Sequence, residues 1–123
     1  MKLTDTEEQL MELIWDRGQV FMKDILESYP EPKPAVTTVA TLLKRMQNKG
    51  FVGYNLMGNS RQYYPLISKS VYFAKHVNGL IENFFGSSAM QFASFFTTGT
   101  NLSSKELEDL KKIIDNEINR KKQ

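Results

Sequence analysis

The sequence contains no cysteine and a single histidine, His76, which restricts the chemistry open to the protein. Without cysteine there is no disulfide, no Cys-ligated zinc finger and no thiol nucleophile. One histidine excludes a metal site built from several histidines, and it argues against a Ser-His-Asp triad. There is no glycine-rich phosphate loop either. We therefore predict that the protein is not an enzyme and that it takes no cofactor and no metal.

Long hydrophobic runs are also missing. Residues 83–104 carry no charge, but they are rich in Ser, Thr, Asn, Gln and Gly. A membrane-spanning helix needs about 20 mostly apolar residues, so we predict no stable association with a membrane. The chain starts with an acidic segment that has no apolar signal-peptide core, which predicts a cytoplasmic location. With 123 residues, 41% of them hydrophobic, the chain suits one or two small globular domains.

Acidic residues are absent from residues 32–81, although the chain has 14 of them. This block carries seven basic side chains, whereas residues 1–31 have a net charge of −5 and residues 82–123 are neutral. A positive block of this kind attracts polyanions and predicts a surface that binds nucleic acid. The alternative is a basic patch that only keeps the protein soluble.

Capping signals and hydrophobic spacing predict two helices before the basic block. Thr4 and Glu7 have the form of a capping box, which starts a helix over about 5–17. A shorter helix follows over about 22–29. The proline-rich segment 30–34 ends it, because each proline disfavours helical geometry in the residue before it.

A third helix is predicted over residues 36–48, and it has two distinct faces. The apolar face consists of Val39, Leu42, Leu43 and Met46. The opposite face consists of Thr37, Thr41, Lys44 and Asn48, flanked by Thr38, Arg45 and Lys49. Threonine is a poor helix former, so a pair of threonines on an outward face indicates a role in contacting a partner. A helix cap would account for one threonine but not for the pair.

After Gly50 the hydrophobic period changes to two, which predicts strands. Two aromatic-rich runs, residues 51–57 and 61–66, are joined by Gly58-Asn59-Ser60 as a three-residue hairpin turn. Three helices followed by a hairpin, with a basic third helix, form the layout of a winged helix-turn-helix. The third helix would enter the major groove of DNA, and the hairpin would be the wing, with Arg61 at its tip.

The residues that follow predict three more helices and a different role. Helices are expected over residues 68–85 and 89–96, and a third starts at a capping box of Ser103 and Glu106. These segments contain six of the eight phenylalanines, too many for the small core of three short helices. We therefore predict that they pair with a second copy in a C2 dimer. The alternative is that they fold back on the N-terminal part of the same chain.

The predicted fold class is thus mainly α (α+β), with a winged helix-turn-helix domain in residues 1–69 and a three-helix dimerisation domain in residues 70–123. The predicted dimer contacts are Phe73, Val77, Leu80, Phe84, Phe92, Phe95, Leu107, Leu110 and Ile114. The predicted DNA-binding residues are Thr37, Thr38, Thr41, Lys44, Arg45, Asn48, Lys49 and Arg61.

Different members of the DNA-binding set have different expected roles. We expect Lys44, Lys49 and Arg61 to contact phosphates, which gives affinity without sequence preference. The three threonines and Lys44 would read base edges, since threonine can hydrogen-bond a base or touch a thymine methyl. Arg45 could contact phosphate or pair with an acidic residue of the first helix. A winged helix that serves only as a protein-interaction module is the alternative function, but it would not need the acid-free block.

Several segments, taken in order, resemble one family of winged-helix repressors. Residues 6–15 resemble its first helix, residues 38–50 (TVATLLKRMQNKG) its recognition helix, and residues 61–65 (RQYYP) the return strand of its wing. Residues 84–87 and 102–107 are similar to its C-terminal dimerisation part. On these strings the chain resembles the penicillinase-repressor family (BlaI/MecI type), which also includes copper-responsive members.

The resemblance implies a homodimeric repressor on an inverted-repeat, double-stranded DNA operator near its own promoter and that of a target gene. It also implies a membrane-bound sensor protease as a partner, which would inactivate the repressor by cleavage in its C-terminal domain. The lack of cysteine argues against copper sensing. The family's cleaved bond is Asn-Phe, and here Asn83-Phe84 precedes the matching stretch, which offers Gln91-Phe92 and Ser94-Phe95 as candidates.

Overall fold

The computed structural model describes residues 2–123, which form six α-helices and one three-stranded antiparallel sheet. In chain order the elements are α1 (Asp5–Arg17), β1 (Val20–Phe21), α2 (Met22–Ser28), α3 (Val36–Asn48), β2 (Val52–Met57), β3 (Ser60–Pro65), α4 (Lys69–Phe84), α5 (Ala89–Gly99) and α6 (Ser104–Lys122). The chain divides into two compact units, the first ending at Ala74 and the second consisting of Lys75–Gln123. The predicted order of helices and hairpin is confirmed.

The capping box predicted at the start of α1 is confirmed. The backbone N–H of Glu7 donates to Thr4 Oγ1 at 3.2 Å, and the backbone N–H of Thr4 donates to Glu7 Oε1 at 2.8 Å. These bonds satisfy two of the backbone donors that a helix start leaves without partners. α6 begins in the same way, with Ser103 and Glu106 as the reciprocal pair.

The wing hairpin consists of β2 and β3, and β1 adds a third strand on the other side of β3. Met57 pairs directly with Ser60, so the turn has two residues, Gly58 and Asn59, and the predicted three-residue turn is wrong. Gly58 has φ of 65°, the geometry that favours glycine at the first position of a type II′ hairpin turn. β1, which sequence analysis did not predict as a strand, pairs with β3 through Val20 and Tyr63.

The hydrophobic core of the first unit joins α1, α2, α3, the sheet and the first turn of α4. Its buried members are Leu3, Leu10, Met11, Ile14, Val20, Ile25, Val39, Leu42, Leu43, Met46, Phe51, Val52, Tyr63 and Tyr72. All four residues of the predicted apolar face of α3 are among them. Burying this stripe fixes the opposite face of α3 toward solvent.

The start of α4 belongs to the first unit. The ring of Phe73 lies 5.1 Å from that of Tyr72 and 5.8 Å from that of Trp15, measured between ring centroids. The Tyr72 hydroxyl donates to Glu8 Oε2 at 2.8 Å and accepts from the backbone N–H of Leu3 at 3.2 Å. Phe73, one of the predicted dimer contacts, thus packs against residues of the first unit. The sequence predicts a domain limit after residue 69, whereas the first unit extends to Ala74 within α4, because the rings of Tyr72 and Phe73 complete its core.

The second unit has its own aromatic cluster but no buried side chain. The ring of Phe85 lies 5.5 Å from those of Phe92 and Phe95, and Phe92 stacks on Phe96 at 6.2 Å. No residue of Lys75–Gln123 is buried in the single chain. None of the described helices has the length and apolar character needed to cross a membrane.

Candidate nucleic-acid interface

The outward face of α3 is fully accessible along its length. Because Val39, Leu43 and Met46 are buried against the core, the helix turns its polar side chains to solvent. The exposed residues on this face are Thr37, Thr38, Thr41, Lys44, Arg45 and Asn48. These are six of the eight residues that sequence analysis selected for contact with DNA. The face is polar and carries two cations and no anion.

The hydroxyl of Thr41 has a defined orientation. It donates to the backbone carbonyl of Thr37, one turn earlier in α3, at 2.9 Å. With its hydrogen engaged in this way, the Thr41 oxygen presents lone pairs, and its methyl group is available for apolar contact. Such a group can accept a hydrogen bond from the amino group of adenine or cytosine, or touch a thymine methyl.

Lys44 and Arg45 form no ion pair within residues 2–123. The sequence leaves two roles open for Arg45, a contact to phosphate or a pairing with an acidic residue of α1. The structure shows no such pairing, and the side chain is exposed. Both cations therefore remain available to an external anion.

Other basic residues of the acid-free block are engaged locally. Lys33 Nζ donates to the carbonyls of Leu26 and Tyr29 at the end of α2, at 2.9 and 2.8 Å. Lys69 pairs with Glu12 at 2.9 Å between two half-exposed side chains. A lysine is stabilised near the carbonyl end of a helix, as Lys33 is, or beside a carboxylate, as Lys69 is. Both lysines therefore have partners inside the fold.

Lys49 also has a partner inside the fold. Its Nζ lies 2.6 Å from Oε1 of Glu7, a carboxylate that is fully buried, and only 25% of the Lys49 side chain is exposed. Burial raises the pKa of Glu7, but the hydrogen bonds from Lys49 and Thr4 outweigh it and hold the pKa below its usual value. The position of Lys49 in the sequence predicted its place beside the DNA-binding face but not this ion pair.

The wing presents Arg61 together with a residue that sequence analysis did not select. The Arg61 guanidinium carbon lies 4.3 Å from the ring centroid of Tyr54. Tyr54 stands on β2 directly opposite Tyr63, and Arg61 pairs with Leu56, so Tyr54 and Arg61 are diagonal neighbours across the hairpin. Leu56 and Met57 extend the wing with exposed apolar side chains. The strand register, once known, would have identified Tyr54, since diagonal neighbours reach each other when one of them is aromatic.

The second unit exposes many large apolar side chains. The residues expected at a dimer interface that are exposed here are Val77, Leu80, Phe84, Phe95, Leu107 and Ile114, and Phe92 and Leu110 are half-buried. Met90, Phe96, Ile113 and Ile118 are exposed as well, although sequence analysis did not select them. Large exposed apolar patches often mark interaction sites in soluble proteins.

Nothing among residues 2–123 forms a group of three or more His, Asp or Glu side chains arranged to hold a metal ion.

Comparisons with known proteins agree on a single family. The family model described as penicillinase repressor matches residues 3–116. The penicillinase repressor of Bacillus licheniformis is 23% identical over 123 residues, covering 99% of this chain and 96% of that protein. The methicillin resistance regulatory protein MecI of Staphylococcus aureus (strain N315) is 24% identical over 115 residues, covering 93% and 94% of the two chains.

A solved structure supports the fold of the first unit. The solution structure of the DNA binding domain of the repressor BlaI matches with a TM-score of 0.51 and 24% sequence identity. The match covers 58% of this chain and 88% of that one. It establishes a winged-helix fold.

Proposed function

The chain belongs to the penicillinase-repressor family of winged-helix transcriptional repressors, and we propose that it acts as a homodimer that binds an inverted-repeat DNA operator in a sequence-specific manner. The observation that carries this proposal is the outward face of α3. This face is a continuous, exposed row of threonines and cations, and the opposite face of the helix packs against the core. A winged helix places such a face in the major groove.

Affinity and specificity come from different parts of the interface. Lys44, Arg45 and Arg61 contact phosphates and position the protein without reading sequence. Thr37, Thr38 and Thr41 face the base edges, with Asn48 near the end of the helix beside them. A threonine oxygen or methyl group distinguishes bases in the major groove, where each base pair presents its own pattern. Lys49 is not among the proposed phosphate contacts, because its ammonium group forms an ion pair with Glu7.

The second unit supplies the dimer. Its ten exposed large apolar side chains, among them Phe84 and Ile113, have no cover in a single chain. A second copy of the same surface covers them in a C2 arrangement, which is the commonest symmetry of homo-oligomers. A two-fold protein requires a two-fold site, so the half-site centres lie about one helical turn, or a multiple of it, apart.

By resemblance to its family, we also propose that the repressor is inactivated by cleavage in the second unit by a sensor protease. The candidate bonds Gln91-Phe92 and Ser94-Phe95 both lie within α5. A protease needs an extended substrate, so α5 must open locally before cleavage. Mass spectrometry of the repressor recovered from induced cells would identify the bond, and an intact chain after induction would contradict this route.

The main experiment is a selection of bound DNA from a random pool, followed by titration of the selected operator at several salt concentrations. Three phosphate contacts per chain give six per dimer, so log affinity should fall with log salt at a slope of about −5. The stoichiometry should be two chains per inverted repeat. A slope near −2, one chain per repeat, or equal affinity for operator and random DNA would contradict the proposal.

A further inference from the structure

One pair of side chains ties the end of α3 to the start of α1. Glu7 is completely buried, and its Oε1 accepts two hydrogen bonds, from Lys49 Nζ at 2.6 Å and from the Thr4 backbone N–H at 2.8 Å. Lys49 Nζ also lies 3.5 Å from the carbonyl oxygen of Lys2. A buried carboxylate is costly unless it is paired and hydrogen-bonded. Lys49 supplies the only cation paired with Glu7 among the described residues, while the second carboxylate oxygen, Oε2, is buried without a hydrogen-bond partner there.

The Glu7–Lys49 ion pair lies where α3 ends and the chain enters the wing. Lys49 is the C-cap of α3, and the residues that follow turn at Gly50, which has φ of 83°, into the buried Phe51 at the entry to the wing. The pair therefore fixes the junction between α3 and β2 against α1. The exposed polar residues of α3 nearest to Lys49 along the chain are Asn48, directly before it, and Arg45, about one turn earlier.

We propose that Glu7 and Lys49 are positioning residues for the recognition of DNA sequence. Lys49 acts through its ion pair with Glu7 and not as a phosphate ligand. The inference rests on the proposed function. Hydrogen bonds to base edges require the helix at a defined position, whereas long basic side chains reach phosphates from a range of positions. Loosening the end of α3 should therefore reduce discrimination between operator and random DNA more than it reduces binding as such.

Lys44 provides a matched control because it lies on the same helix, is exposed and has no ion pair. The test compares the full chain with Lys49→Met, the double variant Glu7→Gln with Lys49→Met, and Lys44→Met. Each is titrated with operator and with random duplex at several salt concentrations. Thermal unfolding monitored by circular dichroism establishes that each variant is folded at the assay temperature. The double variant leaves no buried charge, so it provides the readout if Lys49→Met alone does not fold.

The expected result for Lys49→Met and the double variant is a fall of tenfold or more in the operator-to-random affinity ratio, with no change in salt slope. Lys44→Met should instead reduce the magnitude of the slope by about 1.8 per dimer, one released phosphate contact for each chain. If Lys49→Met reduces the slope by the same amount, Lys49 is a phosphate ligand and the inference is overturned. An unchanged affinity ratio in the folded double variant overturns it as well. Failure of the proposed function is distinguishable, because then the unaltered protein prefers no sequence.

Discussion

The guanidinium group of Arg61 lies over the ring of Tyr54, 4.3 Å from its centroid, on the outer part of the wing. The Tyr54 ring lies 5.9 Å from that of Tyr63, a buried residue that anchors the hairpin to the core. Arg61 is thus held through two aromatic rings. A cation–π contact at an exposed site contributes about 0.5–1 kcal/mol, enough to favour one orientation of a long side chain.

This contact predicts graded effects of substitutions in the wing. Arg61→Ala should weaken binding to operator and random DNA by the same factor, because it removes a contact to phosphate or to the minor groove. Tyr54→Leu should weaken binding about two- to fivefold, since Arg61 keeps its charge but loses the ring that orders it. Tyr54→Phe retains the ring and should bind like the unaltered protein. Fluorescence anisotropy with labelled duplexes measures all three, and equal losses in the Leu and Phe variants would contradict this role for the ring.

Thr41 should influence the choice of one base pair. Its oxygen faces outward as an acceptor because its hydrogen is engaged with the Thr37 carbonyl. Thr41→Ala should change the preference at one operator position by about 1–3 kcal/mol and leave binding to random DNA nearly unchanged. Thr41→Ser keeps the oxygen and serves as the control. Competition binding against single-base operator variants gives the comparison, and a uniform loss on every sequence would show that Thr41 does not read a base.

The proposed dimer should depend on the apolar side chains of α6. Ile114 is half exposed in the single chain, so Ile114→Glu should leave the fold intact while placing a charge in the proposed interface. We expect a monomer by analytical ultracentrifugation and weak binding to a single half-site. Val71→Glu changes an equally exposed residue of the first unit and should remain dimeric. A dimeric Ile114→Glu chain would place the interface elsewhere.

Truncation of the second unit would not test dimerisation alone. A chain that ends near residue 70 also loses Tyr72 and Phe73, which complete the core of the first unit. Its behaviour would combine the loss of the dimer with a loss of stability. Point substitution in α6 separates the two effects.

Stability should fall at acidic pH through Glu7. Its pKa is lower in the folded protein than in the unfolded chain, so the unfolded chain binds the proton more readily and acid favours unfolding. This contribution is fully present above the ordinary value of 4.5 and is lost as pH falls through the lower pKa of the folded state. Glu7→Gln should cost about 1.5–3 kcal/mol at pH 7, typical for hydrogen bonds to a charged group, and should flatten the pH dependence below 4.5.

Urea unfolding at a series of pH values from 7 to 3 measures this effect. Glu12→Gln is the matched control, because the Glu12–Lys69 pair is exposed at both ends and should contribute less than about 1 kcal/mol. If the two variants have the same pH profile, the buried pair does not account for acid sensitivity.

Much of the fold followed from local patterns in the sequence. The spacing of Val39, Leu42, Leu43 and Met46 identified the buried face of α3, and therefore its outward face, because helical geometry places these residues on one side. The capping boxes at Thr4 and Ser103 were readable for the same reason, since their partners lie three residues away. The acid-free block marked the region that carries the proposed DNA-binding face.

The side-chain pairings that could not be predicted from the sequence join residues on different helices and strands. Lys49 appeared free to bind phosphate, but Glu7, 42 residues away, holds it. The contact between Phe73, a predicted dimer residue, and Trp15 also could not be predicted from the sequence. Tyr54 became part of the site only through the register of the hairpin. The sequence by itself determined which face of each helix is apolar and where the helices begin. Only the tertiary structure decided which charged and aromatic groups pair, because such pairs form between elements whose relative placement is set by packing of the whole core.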